Sequence, residues 1–82
     1  MSEMSTQAER MKVYRAASER LKLIREKHNL TQRQLSCLAG LAVNTVYTVE
    51  KNKSAMTVIT AMSLCNVLNC EPEYLLFGIT PT

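Results

Sequence analysis

The chain has no tryptophan, one phenylalanine, two glycines and two prolines in 82 residues. Small strand-rich domains need glycine and proline for their many tight turns, so a β-barrel or sandwich is excluded. Leu, Met, Ala, Lys, Arg, Glu and Gln fill the chain instead, and these enter a helix at little cost. One all-helical domain is expected, and at this length it buries only about 60% of its extended surface. A long hydrophobic run is also missing. The most apolar stretch, AMTVITAMSLCNVLNC, is too short for a bilayer and carries several polar residues. The opening MSEMSTQAERMKVYR is polar and charged, without the apolar centre of a secretory signal. The expectation is a soluble, intracellular protein.

Cysteine is scarce and unpatterned. Cys37, Cys65 and Cys70 make no C-x-x-C pair, and the single histidine, His28, has no ligand-like neighbour. Neither a zinc site nor a disulfide framework is expected. The thiols read as small, partly buried hydrophobes. No cofactor or metal is expected. There is also no nucleophile–base pair and no pair of carboxylates suited to a pocket, so an enzyme is not expected.

Positive charge is absent from residues 54–82, which hold only Glu71 and Glu73. All ten Lys and Arg lie in residues 1–53, beside five acids, and the net charge is +3. Such asymmetry fits a protein with one end turned to a polyanion. An ordinary solvated helix surface is the plain alternative.

Apolar spacing and capping residues place five helices. From about Glu9 to His28, the stripe Val13, Ala17, Leu21 and Ile24 has helical spacing. Residues 1–8 read as a ragged tail, and 1–15 as a tail or an extension of this first helix. Thr31 begins the second helix, where Thr31 and Gln34 form a capping box and Leu35, Leu38 and Ala39 form the apolar side. Gly40 suits its left-handed end. A third helix, about Val43 to Lys51, turns Val46 and Val49 inward. Thr57 caps a fourth, Val58 to Leu68, with Val58, Ala61, Met62, Leu64, Cys65 and Leu68 apolar. Asn69 suits its left-handed end. Pro72 opens a short fifth, PEYLLF, and Gly78 closes it.

Two short helices joined by a tight turn at Gly40 are a helix-turn-helix. Leu30-Thr31-Gln32, Leu35, Gly40-Leu41, Val46 and Val49-Glu50 fall in register with one known pattern, without a gap. Upstream RLKLIREKHN and downstream VITAMSLCNVLNCEPEYLLFG extend the match. Over residues 16–78 the chain closely resembles the lambda-repressor-like family of the Cro/repressor or XRE type. The resemblance implies a compact five-helix DNA-binding domain, here residues 16–79. Four positions depart from the family pattern. Ser36 stands where a small alanine is common, and Ala42 replaces the usual Ser or Thr cap of the third helix. Asn52 replaces a common glycine, and Val43 stands at an often polar position. The cap missing at Ala42 is either lost or supplied elsewhere.

On the third helix Val43, Asn44, Tyr47, Thr48 and Lys51 lie opposite Val46 and Val49. An uncharged face of donors, acceptors and methyl groups suits the major groove, so Val43, Asn44, Tyr47 and Thr48 are the expected base readers. Lys51 and Lys53 suit phosphates. Plainer roles stand beside these: a half-buried aromatic for Tyr47, a substitute cap for Asn44, a solubilising charge for Lys53. The resemblance puts Gln32 on the DNA backbone, with Thr31 and Arg33 beside it. It also implies a structural salt bridge between Arg25 and Glu50. The segment YLLFGITPT carries Leu76, Phe77 and Ile79 beyond what a short last helix can bury, and an exposed apolar cluster marks an interface. These three are the expected dimer contacts.

The reading is a sequence-specific transcriptional repressor of phage or plasmid type in the bacterial cytoplasm or nucleoid. It binds a two-fold DNA operator as a homodimer, with no membrane and no small-molecule ligand. An antitoxin or restriction-modification controller of the same fold is the nearest alternative. A protein–protein adaptor that has lost DNA binding is a more distant one.

Overall fold

A computed structural model describes residues 7–51 and 55–80. Five helices follow in order: α1 (Gln7–Lys27), α2 (Gln32–Leu38), α3 (Thr45–Glu50), α4 (Val58–Leu68) and α5 (Pro72–Phe77). No strand occurs among the described residues. None of their helices is long and apolar enough to cross a membrane.

Local chemistry sets most of the boundaries. Thr31 Oγ1 accepts from the Gln34 N–H at 3.0 Å, and Gln34 Oε1 accepts from the Thr31 N–H at 2.9 Å. That is the reciprocal capping box expected from the sequence. Thr57 Oγ1 accepts from the Thr60 N–H at 3.1 Å and starts α4 in the same way. Pro72 occupies the first turn of α5, where its missing N–H costs nothing. Asn29, Gly40, Asn69 and Gly78 all adopt positive φ, between 57° and 73°, and each follows the end of a helix. Beyond α1 and α2 the chain can turn sharply there because glycine and asparagine tolerate this region.

The core is one cluster in which all five helices meet. Leu21 of α1, Leu35 of α2, Val46 and Val49 of α3, Leu64 and Leu68 of α4, and Leu75 of α5 are its buried centre. Several expected inward residues face out instead. Leu38, Val58 and Met62 are all exposed. The inward arc of α2 passes through Leu35, Ser36 and Ala39, and Leu38 falls about 100° from its centre at 100° per residue. Met62 is displaced from the Ala61–Leu64–Cys65–Leu68 arc of α4 by a similar angle. Val13 does lie on the stripe of α1, but its turn extends past the core and it too is exposed. α1 begins at Gln7 and runs unbroken through Ala16, so residues 7–15 are its first turns. Cys37 is exposed rather than partly buried.

α1 and α5 are tied by a side chain that the sequence did not single out. Arg20 donates from Nε to the Leu75 carbonyl at 3.1 Å and from Nη2 to the Leu76 carbonyl at 2.9 Å. These are carbonyls at the end of α5, where no further helical turn supplies donors.

Candidate nucleic-acid interface

A helix of six residues has little stability of its own. α3 is held in place by side chains from α1 and α2. At its start the buried hydroxyl of Ser36 accepts from the Val46 N–H at 3.0 Å. This is the cap that Ala42 does not provide, supplied across the helix-turn-helix by α2. Asn44 occupies the residue before α3 but makes no side-chain capping bond. At the other end the Ser18 hydroxyl lies 2.8 Å from the Val49 carbonyl and 2.9 Å from the Tyr14 carbonyl, donating toward both. Ser18 is buried, and it covers a carbonyl of the last turn of α3.

The third anchor is ionic. Arg25 meets Glu50 with two parallel hydrogen bonds, Nε to Oε2 at 2.7 Å and Nη2 to Oε1 at 3.0 Å. Its remaining nitrogen, Nη1, donates to the Leu30 carbonyl at 2.7 Å. Both side chains are almost fully buried. The hydrogen bonds to Glu50 raise the Arg25 pKa further above its ordinary value, outweighing the opposing effect of burial. Gln32 completes the group by donating from Nε2 to Glu50 Oε1 at 2.8 Å. One carboxylate therefore joins the C-terminal part of α1, the first residue of α2 and the last residue of α3. The ends of α3 and the start of α2 cannot shift independently.

Because these anchors lie on the inner side, the outer side of α3 is left to solvent. Val43 and Tyr47 are 43% and 42% exposed, Asn44 and Lys51 are exposed, and Thr48 is half-buried. α3 starts at Thr45, two residues later than its spacing predicts, so Val43 and Asn44 sit in the turn leading into it. Thr48 Oγ1 donates to the Asn44 carbonyl at 2.9 Å. Its oxygen lone pairs and methyl group remain for a partner. Lys51 Nζ lies 5.8 Å from the centre of the Tyr47 ring, a cation–π contact along the edge of the face. Thr31 and Arg33 are exposed on either side of the half-buried Gln32, whose amide reaches Glu50 at the end of α3. Lys53 and Asn52 lie outside the described residues.

The expected dimer contacts divide. Leu76 is only 8% exposed and belongs to the core, because α5 turns its inner face onto α1 and α4. Leu76 is therefore corrected from interface to core. Phe77 and Ile79 are 58% and 59% exposed. Phe77 borders a shallow groove of about 240 Å³ between α1 and α5, lined also by Lys12, Val13, Ala16, Arg20 and Leu76.

Sequence reasoning missed Ser18 and undervalued Ser36. A serine among apolar residues of a helix's inward arc was the available signal, since a buried hydroxyl needs a partner. Removing the Ser36 hydroxyl leaves the Val46 N–H buried without an acceptor. Ser36→Ala is expected to cost about 1–3 kcal/mol of stability, read from denaturant midpoints. A loss well below this range would show that α3 is capped without Ser36.

A family model described as helix-turn-helix matches residues 21–75. No curated protein matches the chain. No solved structure matches it.

Proposed function

The chain belongs to the helix-turn-helix family of the lambda-repressor-like XRE type and is a DNA-binding transcription regulator, and we propose that it is a repressor of phage or plasmid type acting on a two-fold operator as a homodimer. The supporting observation is the division of labour on α3. Its inward side is fixed by Ser36, Ser18 and the Arg25–Glu50–Gln32 group. Its outward side offers Tyr47 and Thr48 to solvent, and the turn leading into it offers Val43 and Asn44.

A rigid, uncharged face of this kind suits base edges. The Asn44 amide is uncommitted to capping and has the donor–acceptor pair that matches adenine. Thr48 has already spent its proton on Asn44, so it would accept from a base amino group or pack its methyl on thymine. Val43 supplies a second apolar contact, and Tyr47 a larger surface. Lys51 and Lys53 neutralise phosphates on one side of the groove, and Thr31, Gln32 and Arg33 meet the backbone on the other. Gln32 has a second amide hydrogen for this purpose. The protein works where duplex DNA is, in the bacterial cytoplasm. Selection of binding sites from random duplexes tests this reading. A selected two-fold site supports it, and recovery of no consensus contradicts it.

For the dimer, Phe77 and Ile79, with Val13 across the groove, form the contact between copies. Two α3 helices would then lie about 34 Å apart, one turn of B-DNA. Phe77→Glu is expected to shift the protein to monomer and weaken operator binding, measured by light scattering and duplex titration. An unchanged mass would move the interface away from α5.

A further inference from the structure

Two of the three cysteines meet at the joint between α4 and α5, away from α3. α4 ends at Asn69, whose φ of 58° and ψ of 51° are left-handed. The N–H groups of Asn69 and Cys70 both reach back to the Cys65 carbonyl, at 2.7 and 3.3 Å. A left-handed helix ending of this type folds the residue after it over the last turn, usually making an apolar side-chain contact. Here both residues of that contact are cysteines. The Cys70 thiol donates to the Cys65 sulfur across 3.1 Å, and neither sulfur is in a disulfide. A disulfide bond is about 2.05 Å long, so closure asks for roughly 1 Å of sulfur movement.

We propose that Cys65 and Cys70 form a peroxide-oxidised dithiol whose intrachain disulfide locks the α4–α5 joint. The two thiols differ in ways that order the chemistry. Cys70 is half-buried and reachable, whereas Cys65 is buried. Burial pushes the Cys65 thiol up to about 12. Cys70 is therefore the first to react. Its thiolate attacks one oxygen of hydrogen peroxide, the O–O bond breaks, and hydroxide leaves to become water. Cys70 is then a sulfenic acid. The Cys65 sulfur attacks the Cys70 sulfur as it loses its proton, and the sulfenic oxygen leaves as a second water. Two thiols lose two electrons, and one peroxide is reduced to two waters. Cys37 is exposed on α2 and has no neighbouring thiol in the described structure, so it cannot follow the second step.

The test uses the full chain with Cys37→Ser, which removes the competing thiol. The folded protein is treated with hydrogen peroxide, alkylated in denaturant and digested with trypsin. Residues 54–82 contain no Lys or Arg, so both thiols fall on one peptide. The expected product is that peptide, unalkylated and lighter by two hydrogens, which takes up two alkyl groups after reduction. The same treatment of a Cys70→Ser chain should give no such species. Two alkylated cysteines after peroxide, or a Cys70 sulfinic acid beside an alkylated Cys65, would overturn the proposal.

Discussion

Replacing Glu50 with alanine is expected to destabilise the protein by about 3–5 kcal/mol, and replacing Arg25 by a similar amount. A domain of this size has a total stability of roughly 4–12 kcal/mol, so each change removes a large share of it. The size of the effect comes from what each substitution leaves behind. Without Glu50, the buried Arg25 guanidinium keeps only the Leu30 carbonyl, and Gln32 loses its acceptor. Without Arg25, the Glu50 carboxylate keeps only the Gln32 amide, a neutral partner for a buried charge. The double variant has no uncompensated charge and should lose less than the two single losses combined. A denaturant cycle on the four proteins measures this coupling. Strict additivity would falsify the view that one carboxylate unites the three helices.

Asn44→Ala should lower affinity for the best operator by about 1–3 kcal/mol and leave binding to random DNA nearly unchanged. The amide is short and neutral, so it gains little from phosphate. It is also not needed for folding, since Ser36 supplies the cap of α3. Thr48 lies one turn further along the same face, and Thr48→Ala should relax preference in the same manner. Its loss of stability should be small, because the bond it gives up is exposed. Lys51→Ala should behave in the opposite way. It should weaken specific and random duplexes alike and reduce the salt slope by about one unit. Lys53→Ala should do the same. Titrations of both duplexes by each variant separate the two groups. A specificity ratio unaffected by Asn44→Ala would shift readout to Val43, Tyr47 or the N-terminal residues.

What was legible in the sequence was mostly local. Thr57, Pro72, Asn69 and Gly78 fix the ends of α4 and α5 through contacts within a few residues, and both helices fall where these residues place them. The Arg25–Glu50 pair came from resemblance. Spacing alone does not reveal that residues 25 apart share two hydrogen bonds. The Ser36 and Ser18 anchors are of the same long-range kind, at separations of 10 and 31 residues. A serine's identity says that it needs a partner but not where that partner lies. Leu38 and Met62 were misplaced for another reason. An apolar residue on the shoulder of a helix has the right spacing for the core and lacks a neighbour to cover it. Leu76 is the converse, a residue assigned to an interface that the fold of α5 against α1 takes into the core.

The outward face of α3 is expected to meet duplex DNA. This is tested most directly by titrating the unmodified protein with its selected operator and with a random duplex, each across several salt concentrations. Phosphate neutralisation releases counterions, so the logarithm of the binding constant should fall steeply and linearly with the logarithm of salt for both duplexes. The operator should bind far more tightly at every concentration, by about 10³-fold or more. Binding to duplex DNA that is absent, or insensitive to salt and sequence, would contradict the account and leave α3 as a surface for a protein partner.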